Sequence, residues 1–440
     1  MNKQNLSTSL KNLLHRPELQ GAVCSLVVKD DKNQTLLSYN PGLFLVPASN
    51  TKLITTATAY EVLGPAYQFE TKVFYTGSVG GNKITGNLVI MGLGDPTPGS
   101  EYFDEKVPGY FEKIAALLKA HNINEINGDI VVDNSYIKNQ LAYTNWSLED
   151  YPYYYGAVPQ GFNFIDNAFT VKQSGHKIVV KEIAGINSRL LMDECEVFED
   201  ATIEELEAIG CPGCAKKSVF VNPNYDPAKY KDQKLSLASP AAVFKEGLAT
   251  YLKAAGINFG TNGAANANDR KELGTLKSPP LSEIIQKTNF ESINLFAECI
   301  YIAVSKALAE RKESLNDYWK NTLGNSNFSL YDGSGLTRKN ILTADFLAEL
   351  LMHMHVKHSD FIDTLPQMAK EGTVKNFCKE VQAKNIVKLK TGSMGNVRAF
   401  SGLVKGSEAL SFSMLFNNYR CTDGEIRKLA EEMLKAFALA

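Results

Sequence analysis

Cysteine is scarce in this 440-residue chain, net charge is almost nil, and no apolar run is long enough to cross a bilayer. Each shortage excludes something. Seven cysteines at this length do not make a disulfide scaffold of the kind that holds small secreted domains together. A formal charge of -2 gives no electrostatic reason to bind nucleic acid or an anionic membrane surface. Behind Met1-Asn2-Lys3-Gln4 there is no apolar signal core. That fits a cytoplasmic protein, or an exported one whose signal has been removed. What is present is ordinary globular material, 44% hydrophobic and 21% charged, long enough for two or three domains. The amphipathic segment from Ile426 to Leu439 suits packing on a core better than lying on lipid.

The two ends of the chain read alike. Ala22 to Lys29 and Thr35 to Asn40 are β-rich runs around an Asp30-Asp31-Lys32-Asn33 turn. Ile386 to Lys390, Val397 to Val404 and Leu410 to Phe416 are three more strands joined by glycine-containing turns. An α+β fold follows, with a five-stranded antiparallel sheet built from both termini. Helices at about Leu6 to Leu14 and Ile426 to Ala438 would cover one face. Ser49 to Leu63, Glu291 to Ala309 and Thr343 to Val356 also carry helical spacing. The middle differs, being rich in Gly, Asn and Tyr with short strands such as Asn87 to Met91 and Asp129 to Val132. The expected division is residues 1–70 with 275–440, an inserted domain of 71–168 with 239–274, and a nested cysteine-bearing subdomain of 169–238.

Three clusters invite a functional reading. Cys211-Pro212-Gly213-Cys214 follows a Glu-rich, helical-looking stretch from Ala201 to Ile209, and Cys195 is near in sequence. The pattern leaves open a metal or redox site, a local disulfide, or free thiols. His353, His355 and His358 do not make a three-ligand zinc site on a helix, because residues i and i+2 do not share a face. Tyr151, Tyr153, Tyr154 and Tyr155 could stack on sugar or peptide, and could equally pack within the protein.

The chemistry is carried by three short motifs in order: Ser49-Asn50-Thr51-Lys52, Ser292-Ile293-Asn294 and Lys390-Thr391-Gly392. Each alone is weak. Ser174 with Lys177 repeats the first pattern and Ser38-Tyr39-Asn40 the second, both by coincidence. Order and context give the three their weight. One helical turn puts Ser49 and Lys52 on the same face. A serine hydroxyl needs a base, and a lysine can be that base only when its neutral form is populated. Burial and a neighbouring cation favour that form, and Lys390 is the candidate cation. On its strand Lys390 and Thr391 would face a cleft and bind a substrate carboxylate, with Gly392 permitting close approach. Backbone N–H groups of Ser49 and Ser393 could form an oxyanion hole. Ser292 would relay a proton to the leaving amine, and Asn294 would hold the substrate amide.

S-x-x-K, S-D-N and K-T-G together mark penicillin-binding proteins and class A β-lactamases, and the second reads Ser292-Ile293-Asn294 here. The chain resembles the class C low-molecular-mass penicillin-binding proteins, the D-alanyl-D-alanine carboxypeptidase/endopeptidase family, over nearly its whole length. Gly92-Leu93-Gly94-Asp95-Pro96, Trp146 to Asp150 before Tyr155-Gly156-Ala157, and Asp332-Gly333-Ser334-Gly335-Leu336-Thr337-Arg338 support the likeness. Ser292 lies 240 positions after Lys52, and that family carries such a large insertion where class A β-lactamases do not. The β-lactamase segment E-x-x-L-N is also absent, since Glu313-Ser314-Leu315-Asn316 is one residue short.

The resemblance implies a penicillin-binding/β-lactamase-like domain with a large inserted region forming one or two smaller domains. It also implies a cell-wall hydrolase that cleaves peptidoglycan stem peptides through an acyl-enzyme on Ser49, is acylated by β-lactams, and needs no metal or organic cofactor. An extracytoplasmic or periplasmic location follows from that substrate. By the same likeness Asp150 and Arg338 would read the free end of a diamino acid in the stem. Some relatives place a glutamine where this chain has Gly395, so that contact cannot be made here by a side chain. Two other functions share the motifs: a β-lactamase or esterase of the same fold, and a penicillin-sensing or peptidoglycan-binding module without turnover. The binding module would have no chemical use for Lys52.

Overall fold

The computed structural model describes residues 8, 11–137, 145–211, 214, 216–226, 231–260 and 269–439. The chain divides into two compact units, residues 1–67 with 280–440 and residues 68–279.

The first unit is built on five strands: β1 (Val23–Lys29), β2 (Thr35–Tyr39), β3 (Ile386–Met394), β4 (Val397–Lys405) and β5 (Leu410–Asn417). Their order across the sheet is β3-β4-β5-β1-β2, and every neighbouring pair is antiparallel. The two ends of the chain therefore meet where β1 pairs with β5, from Val23 opposite Asn417 to Lys29 opposite Ser411. All eight residues of β5 are buried, as a strand covered on both faces requires. On one face, Leu26, Val28, Phe400, Phe412 and Met414 share a core with Leu13 and with Ile426, Leu429, Met433 and Phe437 of the C-terminal helix Asp423–Leu439. Of the expected N-terminal helix, residues 11–14 are helical, while Leu6, Ser7, Ser9 and Leu10 lie outside the described residues.

Five further helices complete this unit: α1 (Thr51–Val62), α2 (Leu281–Glu291), α3 (Asn294–Glu310), α4 (Leu315–Leu323) and α5 (Ala344–Lys357). The helix expected from Glu291 onward is broken at its start. Ser292 closes α2 in the left-handed region, with φ 59° and ψ 39°, and α3 begins afresh at Asn294. No glycine or proline announces that break.

The second unit holds two four-stranded and two three-stranded sheets among its described residues. Phe111, Phe162, Phe164 and Phe244 lie at the heart of its core, with the rings of Phe162 and Phe244 4.4 Å apart. The helical reading of Ala201 to Ile209 is corrected here: Glu207–Ile209 is a strand paired with Lys217–Val221. Ala208 is buried between exposed Glu207 and Ile209, and this alternation of period two outweighs the helix preference of the glutamates. Cys211 and Cys214 form a disulfide that excludes Cys195. The tyrosines pack on protein rings, Tyr153 stacked on Tyr155 and Tyr151 against Trp146.

Candidate active site

Ser49 lies in a single 3-10 turn, Ala48–Asn50, that leads directly into α1. Ala48 has φ 46°, a conformation that costs a residue bearing a Cβ about 1–3 kcal/mol and persists only where its surroundings enforce it. The enforcing contacts are close. Val46 N–H donates to Asn417 Oδ1, and Asn417 Nδ2 donates back to Val46 O, tying the approach to β5. Asn50 Nδ2 donates to Ser401 Oγ on β4 at 2.7 Å. A Cβ on Gly335 would fall 1.9 Å from Ala48 O, and one on Gly392 would fall 2.5 Å from Pro47 O. These two glycines let their segments press directly on the strained turn.

Lys52 projects from the first turn of α1 and is fully buried. Its Nζ lies 2.9 Å from Ser49 Oγ, 2.6 Å from Asn294 Oδ1 and 2.7 Å from the carbonyl oxygen of Ser334. Two of those oxygens can only accept. A neutral amine has two N–H groups for them and keeps one lone pair, which is left for the Ser49 hydroxyl. Burial brings the Lys52 pKa down to about 7, against the upward pull of Asp332 and Glu298. The neutral state thus comes chiefly from burial. Lys390, expected as the cation that would help, is itself fully buried, and burial and the charge of Lys52 hold its pKa well below the ordinary value.

The other motifs converge on the same place. Lys390 on β3 donates to Ser292 Oγ at 2.9 Å and to the Thr391 carbonyl at 2.7 Å. The left-handed backbone at Ser292 is what puts its hydroxyl at the junction of α2 and α3 beside β3. Thr391 Oγ1 donates to Thr373 Oγ1 at 3.1 Å, buried Gly392 approaches the Ser49 backbone, and Ser393 is exposed on the same strand. Arg338 is exposed, and its Nη2 donates to the Gly395 carbonyl at 2.8 Å, in the hairpin that ends β3. A Cβ at residue 395 would stand 3.0 Å from that nitrogen, so the glycine makes room for the guanidinium. Asp150 is the remaining residue of the expected set. It belongs to the 68–279 unit, at a turn where its N–H donates to Ser147 O and its carbonyl accepts from Tyr153 N–H.

Two acids that the motifs do not include hold the floor of the site. Glu298, four residues after Asn294 on α3, accepts N–H bonds from Gly333 and Ser334. Asp332 accepts from the N–H groups of Gly335 and Thr337 and from Asn340 Nδ2. Burial, reinforced by the charge of Asp332, raises the Glu298 pKa to about 8. Together they shape the 332–337 loop so that the Ser334 carbonyl meets Lys52. The spacing of Glu298 from Asn294, in a stretch otherwise apolar from Leu295 to Val304, was the available signal for it. Elsewhere, His353 Nε2 and His358 Nε2 both face Glu61, while the His355 ring has Lys405 and Asp31 as its charged neighbours. No group of three His, Cys, Asp or Glu side chains among the described residues is placed to hold a metal.

A serine in hydrogen-bond contact with a buried lysine, beside a five-stranded antiparallel sheet flanked by helices, is the arrangement of the penicillin-binding class of fold. The crystal structure of penicillin binding protein 4 (dacB) from Haemophilus influenzae matches the chain with a TM-score of 0.77 at 21% identity, covering 100% of both chains. A second structure of that protein, complexed with a novel β-lactam, gives 0.73 at 20% identity over the same coverage. In sequence, the chain is 28% identical to the D-alanyl-D-alanine carboxypeptidase of Actinomadura sp. (strain R39), over 94% of this chain and 81% of that protein. It is 26% identical to the D-alanyl-D-alanine carboxypeptidase DacB of Haemophilus influenzae, over 92% and 88%. The chain belongs to the D-Ala-D-Ala carboxypeptidase 3 (S13) family, which it matches over residues 6–438.

Proposed function

We propose that the chain is a serine D-alanyl-D-alanine peptidase in which Ser49 attacks the carbonyl between two D-alanines of a peptidoglycan stem. The observation that carries this is the Lys52 amine, buried, 2.9 Å from Ser49 Oγ and neutral above about pH 7. Lys52 takes the Ser49 proton as the Oγ–C bond forms, and backbone N–H groups of Ser49 and Ser393 receive the developing oxyanion. The C–N bond then breaks. Ser292, hydrogen-bonded to Lys390, relays the proton held by Lys52 to the departing D-alanine amine, which returns Lys52 to its neutral form, and Asn294 holds the substrate amide. Water, deprotonated by the same lysine, releases the acyl group and restores Ser49. Thr391 and Lys390 meet the substrate carboxylate, with Gly392 keeping the strand clear of it. Asp150 and Arg338 read the diamino acid of the stem, the arginine from the end of β3 where the Gly395 carbonyl already anchors it.

β-Lactams acylate the same serine and leave slowly. Family membership and relatives named as carboxypeptidases favour this reading over a β-lactamase or a non-turnover module. The substrate places the working enzyme outside the cytoplasm, in the periplasm where an outer membrane is present. No helix among the described residues is long and apolar enough to cross a membrane. Ser49→Ala is expected to abolish covalent labelling by a fluorescent penicillin, with circular dichroism unchanged. Intact-mass analysis finding the penicilloyl group on any other residue would refute the assignment.

A further inference from the structure

Of the two residues assigned to the substrate carboxylate, Lys390 is fully buried, and its Nζ is bonded to Ser292 Oγ and to the Thr391 carbonyl. Thr391 is half-buried and keeps its hydroxyl at the surface of β3. A carboxylate has two oxygens, each able to take a donor, and one hydroxyl has a single proton to give.

A second hydroxyl is already in place. Thr373 Oγ1 lies 3.1 Å from Thr391 Oγ1, and Thr373 is exposed between half-buried Gly372 and buried Val374. It sits in a single 3-10 turn, Gly372–Val374, that is anchored on every side. Residues 366–368 run along the outer edge of β3: Leu389 N–H donates to Pro366 O, Met368 N–H donates to Val387 O, and Gln367 bridges to Lys388. Glu371 Oε2 accepts the Gln367 N–H and Val374 O accepts the Ala369 N–H, which closes the loop on itself. Val374 is fully buried with Met368 and Phe377 in the core shared with the C-terminal helix. At Gly372, φ is 49° and a Cβ would fall 2.5 Å from Phe290 O, so the turn also presses on the end of α2, two residues before Ser292. The threonine that follows is thereby held beside Thr391, in the part of the site where Lys390 meets Ser292.

In the free protein Thr391 donates to Thr373. Two hydroxyl oxygens at this separation are spaced to donate one proton each to the two oxygens of a single carboxylate once Thr391 turns its own proton outward. A donor held in position beforehand also loses little freedom when the ligand arrives.

We propose that Thr373 touches the substrate directly: its hydroxyl and that of Thr391 each donate to one oxygen of the C-terminal carboxylate. This rests on the peptidase reading and adds to it a residue from outside the three motifs.

The test compares a stem peptide ending in D-alanyl-D-alanine with the same peptide ending in the carboxamide, for wild type, Thr373→Val and Thr373→Ser. Valine keeps the shape of threonine without the hydroxyl, and the position is exposed, so the fold is retained. The acid-over-amide ratio of kcat/KM should fall by at least about tenfold in Thr373→Val and stay within about threefold of wild type in Thr373→Ser. An unchanged ratio in Thr373→Val, or a loss that serine does not restore, would overturn the proposal. A second measurement separates contact from support of Thr391. Thr373→Val should cause a further loss in a Thr391→Val background, because each hydroxyl meets its own oxygen; no further loss there would make Thr373 a prop for Thr391 and would also overturn the proposal. The same ratio can be read without peptide turnover, from the rates at which benzylpenicillin and its methyl ester acylate the protein. A wild type that is acylated but releases no D-alanine would end the peptidase reading, while the penicillin ratio would still decide the role of Thr373.

Discussion

At the scale of single residues, the base role proposed for Lys52 makes the reaction depend on pH. The amine accepts the Ser49 proton only when neutral, and its pKa lies at about 7. Acylation by benzylpenicillin should thus rise with pH, fall by about tenfold per unit well below pH 7, and level off above about pH 8. A rate profile that stays flat from pH 5 to 8 would exclude Lys52 as the base. The roles proposed for Arg338 and Asp150 would separate substrate reading from chemistry. Removing a charged partner from a desolvated contact costs about 2–4 kcal/mol, whereas a rim contact costs under about 1 kcal/mol. Arg338→Ala and Asp150→Ala should each slow cleavage of a stem peptide bearing a free diamino acid by at least about tenfold, and leave benzylpenicillin acylation nearly unchanged. Equal losses on both substrates would assign these residues to general support of the site.

At the scale of elements, the motifs were legible because each couples residue type to spacing: a helical turn for Ser49 and Lys52, a strand for Lys390 and Thr391. The acids beneath them were harder to see. Asp332 stood within a quoted segment, but nothing in sequence shows that its carboxyl folds back on Gly335, Thr337 and Asn340. The break at Ser292 was equally hidden, since a serine in left-handed conformation leaves no mark of its own in the surrounding residues. The strand at Glu207–Ile209 was misread because glutamates favour helices locally, while pairing with Lys217–Val221 is a tertiary fact. Glu298 provides the test at this scale. Its raised pKa favours the neutral acid at pH 7, so Glu298→Gln, which keeps an acceptor for the Gly333 and Ser334 N–H groups, should cost less than about 1 kcal/mol. Glu298→Ala strands those buried donors and should cost about 3 kcal/mol or more. Denaturant midpoints for the two variants check this, and equal midpoints would contradict it.

At the scale of the whole molecule, the sheet could be assembled from the sequence because its strands lie at the two chain ends with short links. The internal order of the 68–279 unit was less accessible, since its parallel pairings, such as Leu88–Gly92 with Ile130–Asp133, join segments across intervening helices and loops. The Cys211–Cys214 disulfide is in that unit and closes a ring of only a few residues, which contributes about 2 kcal/mol in the chain-entropy account. Every hydrogen-bond partner found for Lys52 and Lys390 belongs to the other unit. Reduction of the disulfide should therefore leave penicillin labelling within about twofold while lowering thermal stability modestly. A loss of labelling beyond about tenfold on reduction would show that the 68–279 unit governs the reactivity of Ser49.

The pairing of β1 with β5 has a consequence in time. During N-to-C synthesis Ser49 is made before the whole 68–279 unit, but the strand that must lie beside β1, residues 410–417, is made after it. Strands β4 and β5, also made after that unit, supply Ser401 and Asn417, which position the turn around Ser49. The 68–279 segment can complete its own core while the turn around Ser49 still lacks the partners that position it. The surroundings of Ser49 are thus complete only after the intervening unit has been made.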